Sequence, residues 1–70
     1  MEVGDMIREA RIAKGMRQED VHNLVGAKSK DPRSQVSKWE TNKVLPGRKT
    51  FALLVDVLEL DHDQAWAAYG

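Results

Sequence analysis

Between Asp31 and Thr41 the sequence reads Asp-Pro-Arg-Ser-Gln-Val-Ser-Lys-Trp-Glu-Thr, and five of these side chains are strong hydrogen-bonding groups of types that suit base edges. The amide of Gln35 can pair bidentately with adenine, and Arg33 or Lys38 suits the O6 and N7 acceptors of guanine. Ser34 and Ser37 complete the polar set. Val36 and Trp39, three positions apart, give the same segment one apolar face at helical spacing. A helix built this way can seat itself on a scaffold and leave a polar face for a nucleic-acid groove.

A second group of side chains suits phosphate. Arg17, Lys28, Lys30, Asn42, Lys43 and Arg48 flank the Asp31–Thr41 segment on both sides. The chain is neutral as a whole, with eleven basic and eleven acidic residues, but the charges are segregated. Positions 28–49 hold seven basic against two acidic residues, a net +5, and the remainder carries −5. One contiguous third is therefore basic, which is the electrostatic footprint a phosphate backbone requires.

Other chemistries find little support. The chain has no Cys, which excludes disulfide and thiolate–zinc frameworks. It shows no Gly-rich phosphate loop, no His-based ligand set and no nucleophile–base pairing, so neither an enzyme nor a metal or cofactor requirement is expected. His62 lies between Asp61 and Asp63, three adjacent residues that read better as a helix start than as a metal site. No apolar run is long enough to span a membrane and no signal-peptide pattern appears, which favours the cytoplasm.

The elements that must position these groups are all helical. Seventy residues suit one domain, 1–70. Val3, Met6, Ile7, Ala10 and Ala13 mark a first helix over about Val3–Lys14, stopped by Gly15. Val21, Leu24 and Val25 mark a second, from Gln18 to Gly26, with Glu19 and Asp20 in its dipole-favoured first turn. Met16 can staple against Val21, whereas Arg17 is a poor residue for the cap position. Asp31 as cap and Pro32 at the first position start a third helix, and Asn42 can end it in the left-handed conformation. Phe51, Leu54, Val55 and Leu58 predict a fourth over Arg48–Leu58. Asp61 and Gln64 open a fifth that runs to Tyr69, with Ala65, Trp66 and Tyr69 on its apolar face. No segment alternates as a half-buried strand does.

The pattern Ile7-Arg8…Arg11…Lys14-Gly15-Met16-Arg17-Gln18-Glu19-Asp20-Val21, Leu24-Val25-Gly26, Val36-Ser37-Lys38-Trp39-Glu40 and Leu53-Leu54…Leu58 resembles the phage Cro and repressor class of helix-turn-helix proteins, the XRE type. The resemblance covers almost the whole chain. It implies an all-α, compact five-helix, lambda-repressor-like DNA-binding domain. It also implies that Arg33, Ser34, Gln35, Ser37 and Lys38 fall on the base-contacting stretch, that Gln18 donates to a phosphate, and that Arg11 pairs with Glu40 to fix the recognition helix. Two departures stand out. The turn before the third helix is about twice the usual 3–4 residues, and its Lys28-Ser29-Lys30-Asp31 portion is a candidate basic loop. His22 stands where the family favours Ala, and must swing aside or pack on Trp39.

The function expected is that of a prokaryotic or phage transcriptional regulator of repressor type. Its partner is double-stranded DNA bearing a palindromic operator, bound by a homodimer, for which Trp66 and Tyr69 offer either core packing or an apolar seam. A protein-interaction module of the same fold, such as an antitoxin or anti-repressor, is the alternative. It is motivated by Asp56, Glu59, Asp61 and Asp63 beside Trp66 and Tyr69.

Overall fold

The computed structural model describes every residue except Ala27 and Ser29. Among the described residues five helices follow in order: α1 (Val3–Ala13), α2 (Gln18–Leu24), α3 (Pro32–Glu40), α4 (Arg48–Val57) and α5 (His62–Tyr69). Among the described residues there is no strand.

Each helix end has a local cause. α1, α3 and α4 close with one hydrogen-bond pattern, in which a left-handed residue lets the next amide reach back over the last turn. Gly15 (φ 69°), Asn42 (φ 61°) and Glu59 (φ 55°) are those residues. Met16 N–H donates to Arg11 O at 3.0 Å, Lys43 N–H to Lys38 O at 3.0 Å, and Leu60 N–H to Val55 O at 3.0 Å. At the starts, Asp31 accepts from Ser34 N–H at 3.2 Å and Asp61 from Gln64 N–H at 2.9 Å. Arg17 caps α2 without a side-chain bond. Instead Asp20 reaches back to the Arg17 N–H at 2.9 Å, because a guanidinium has no acceptor to offer the helix.

The helices end slightly earlier than the apolar pattern suggests. Lys14, Val25 and Leu58 are cap residues, and Gly26 lies beyond α2 in the left-handed region. Ala13 faces solvent. The buried stripe of α1 runs through Val3 and Ile7 to Arg11, whose guanidinium turns inward to a carboxylate, and not toward Ala13.

One core joins Val3, Ile7, Val21, Val25, Val36, Trp39, Phe51, Leu54, Val55, Leu58 and Ala65. Met16 packs on its edge. α3 lies against both α1 and α2, and α5 closes against α1. Phe51 organises the last helix: Tyr69 stacks on it with centroids 4.5 Å apart, and Trp66 meets it edge-on at 4.8 Å. The Tyr69 hydroxyl donates to Pro46 O at 2.8 Å, tying α5 to the turn that precedes α4. His22 is buried rather than swung into solvent.

Gly4 sets how closely α1 approaches the end of α3. A Cβ there would lie 2.7 Å from both Glu40 O and Asn42 Oδ1, and closer still to Trp39 O. Without one, the Gly4 N–H donates to Asn42 Oδ1 at 2.9 Å, so Asn42 satisfies an orphan donor of α1 while ending α3.

Candidate nucleic-acid interface

α3 is held by a charged network at its C-terminal end. Arg11 donates through Nε to Glu40 Oε2 at 2.6 Å and through Nη2 to Glu40 Oε1 at 3.1 Å, a bidentate pair. The same guanidinium donates to Met16 O at 2.9 Å, past the end of α1. Gln18 Nε2 adds a third donor to Glu40 Oε1 at 3.3 Å. The side chains are 15% exposed for Arg11 and 3% for Glu40. One carboxylate at the last residue of α3 thus fastens that helix to α1 and to the first residue of α2. In so dry a place the pair contributes orientation more than stability, because desolvation cancels much of the Coulomb gain.

The outward face of α3 carries the polar set. Arg33 and Lys38 are exposed, and Ser34, Gln35 and Ser37 are half-buried. Arg33 sits with Arg11, Arg17, Gln18 and Glu19 around a shallow depression of about 360 Å³ between α2 and α3. Gln18 and Arg33 are fifteen positions apart in the chain, and the packing of α2 on α3 brings them together. Arg17 is 75% exposed, pairing with Glu19 at 3.0 Å and Asp20 at 3.5 Å. The Arg17 backbone N–H, chiefly, holds the Asp20 carboxyl below its ordinary value; slight burial opposes this and the Arg17 side chain adds to it.

Of the remaining cationic candidates, three flank α3 in the chain. Lys28 and Lys30 are exposed in the turn before it, and Ser29 of that basic portion lies outside the described residues. Lys43 is exposed just after it. Asn42 uses its Oδ1 on Gly4, which leaves only its Nδ2 as a donor to a ligand. Arg48 stands apart, at the start of α4 beside Trp66, Tyr69 and Gly70. Among the described residues no group of three or more His, Asp or Glu side chains could hold a metal ion, and no helix is long and apolar enough to cross a membrane.

A helix-turn-helix family model matches residues 7–64, from within α1 to the first turn of α5. The chain belongs to the Cro/repressor, XRE-type helix-turn-helix family. Neither a curated protein nor a solved structure matches it. In this helix-turn-helix domain α2 packs on α3, and the protein is a DNA-binding regulator in the general sense of its family.

Proposed function

We propose that this domain binds double-stranded DNA sequence-specifically as a prokaryotic or phage transcriptional repressor, acting in the cytoplasm as a homodimer on a palindromic operator. α3 enters the major groove. Arg33, Ser34, Gln35, Ser37 and Lys38 face the base edges, while Arg17, Gln18, Lys28, Lys30, Asn42, Lys43 and Arg48 neutralise or hydrogen-bond phosphates. The observation that carries this reading is the Glu40 network, which joins α3 to the first residue of α2 and to α1 and leaves Arg33 and Lys38 exposed. A base reader needs its helix held at a fixed angle, and a buried bidentate pair at one end supplies that. The interaction-module alternative rests on Asp56, Glu59, Asp61 and Asp63 beside Trp66 and Tyr69; the four carboxylates are exposed, but both rings pack on Phe51 and the Tyr69 hydroxyl is bonded to Pro46.

Selection of bound duplexes from a random pool tests the reading, with a palindromic consensus as the expected outcome. On the selected site, Lys38→Ala and Gln35→Ala are expected to cost about 1–3 kcal/mol each while leaving binding to random DNA nearly unchanged. Lys43→Ala should weaken both alike. Equal losses from all three on both kinds of DNA would remove the base-reading assignment.

A further inference from the structure

We propose that the groove between α1 and α5, floored by Met6 and Leu60 and rimmed by Glu9, Glu59 and Asp61, docks a basic amphipathic helix of a partner protein. The surface uses none of the residues assigned to DNA. It also differs from the face of Trp66 and Tyr69, whose rings are engaged with Phe51.

The floor is apolar and adaptable. Met6 and Leu60 are half-buried against the core, and both line the groove, whose volume is about 310 Å³. Met1 adds a second methionine, 74% exposed. Unbranched thioether side chains re-pack around apolar groups of differing shape, as a surface of stiff β-branched residues does not.

Charge names the occupant. Glu9, Glu59 and Asp61 are exposed, and no cationic side chain lines the groove. Lys14 answers Glu59 from outside it, while Glu9 forms no salt bridge among the described residues. The adjoining depression adds Asp5 and one cation, Arg8. Four carboxylates against two cations leave the surface net negative. Such a rim repels nucleic acid and anionic lipid, and a plain polycation has no use for the methionines. A helix with lysines or arginines flanking an apolar stripe satisfies both parts. Its stripe lies on Met6 and Leu60, and its cations meet the three carboxylates.

The groove faces away from the side that the DNA-binding reading assigns to the duplex. Glu9 and Arg11 are two helical steps apart, about 200° around α1. Arg11 turns toward Glu40 and lines the depression it shares with Arg17, Gln18 and Arg33. Glu9 and the groove therefore stand on the opposite side of that helix. A partner seated there leaves α3 exposed, so one domain can hold DNA and a protein together.

The contact is small beside the roughly 800 Å² per partner of a stable protein–protein interface, so it is weak alone. Its test uses the domain without DNA, since a cationic peptide binds a duplex itself. The probe is a fluorescent peptide of about four helical turns, with leucines on one face and lysines elsewhere. A second peptide has the same composition in an order that gives the leucines no common face. The first is expected to bind with a Kd in the tens of micromolar at about 50 mM salt, at least about fivefold tighter than the second. Amide shifts on titration should concentrate at Met6, Glu9, Glu59, Leu60 and Gln64.

The double variant Glu9→Gln, Glu59→Asn should bind the amphipathic peptide about fivefold to tenfold more weakly. Asparagine takes the left-handed conformation of position 59 (φ 55°) more readily than glutamate does, so the variant stays folded, which thermal melting checks. It should bind selected duplexes as the parent does. Equal binding of the two peptides, shifts centred on α3, or unchanged affinity in the double variant each overturn the proposal. So does a dimer of the domain alone that the peptide dissociates, because the occupant would then be a second copy. Failure of the parent to bind any duplex would remove the DNA-binding reading, and the peptide titration would still decide the groove.

Discussion

Glu40 concentrates more of this domain's design than any other side chain. It is nearly dry, accepts two bonds from Arg11 and one from Gln18, and so couples three helices through one carboxylate. Removing it leaves the Arg11 guanidinium without its counter-charge in a mostly buried place. Glu40→Ala is therefore expected to lower unfolding free energy by about 3–5 kcal/mol, which urea denaturation would read. The double replacement Arg11→Met, Glu40→Leu should recover much of the stability and little of the sequence-specific binding, because packing replaces the pair but not the angle it imposes. Recovery of both would mean that the network does not orient α3. Asp20 acts in the open. The Arg17 N–H holds its carboxyl below the ordinary value, so its contribution to stability is full above the unfolded value and is lost as pH falls through the folded one. The first turn of α2 should loosen in that acid window, below about pH 4. Carbon-detected titration of the Asp20 carboxyl would check it, and Asp20→Asn should abolish the effect.

At the scale of elements, the junction of α1 with α3 is the most demanding. Gly4 allows the Glu40 and Trp39 carbonyls to come so near that even a methyl group does not fit, and backbone cannot move aside as a flexible side chain can. Gly4→Ala is expected to cost about 1–3 kcal/mol despite the better helix propensity of alanine. Asn42 divides into two roles that substitution can separate. Asn42→Gly keeps the left-handed turn and loses only the Oδ1 bond to Gly4, whereas Asn42→Ala loses both and should be the more destabilised by about 1 kcal/mol. Thermal melts of the three variants would give the ranking. Helix starts and stops were legible in the sequence where the deciding residue type is a marked former, as with Asp31-Pro32, Asp61, Gly15 and Asn42. The stop at Glu59 was not, because that residue type seldom takes the left-handed conformation that closes α4. The inward face of α1 was legible through Val3, Met6, Ile7 and Ala10 and missed only at its far end, where the half-buried Arg11 turns inward and Ala13 faces solvent. The cap role of Arg17 also looked poor locally, and only the reach of Asp20 back to its N–H explains the helix start. Gly4 gave no sign of its role, because close approach belongs to a pair of elements and not to either one.

On the scale of the whole molecule, the neutral net charge conceals a basic third, residues 28–49, that contains α3. Lys28, Lys30, Arg33, Lys38, Lys43, Arg48 and Lys49 give it seven cations. This segregation was readable in the linear sequence, since the basic third is contiguous. The Arg33–Arg17–Gln18 gathering was not, because it depends on how α2 and α3 pack. If Arg17, Lys28, Lys30, Lys43 and Arg48 each neutralise one phosphate, log affinity per copy should fall with log salt at a slope of about −4 to −5. Substituting Lys28 and Lys30 by Ser should make that slope shallower by about 2 and leave the preferred sequence unchanged, since phosphate contacts carry no base information. Equilibrium titration of a fluorescent duplex between about 50 and 200 mM salt measures it. A slope near zero would mean that the basic third does not face the duplex. A slope of about −3 that the two substitutions leave untouched would place the turn before α3 away from the DNA and leave Arg17, Lys43 and Arg48 as the cationic phosphate contacts.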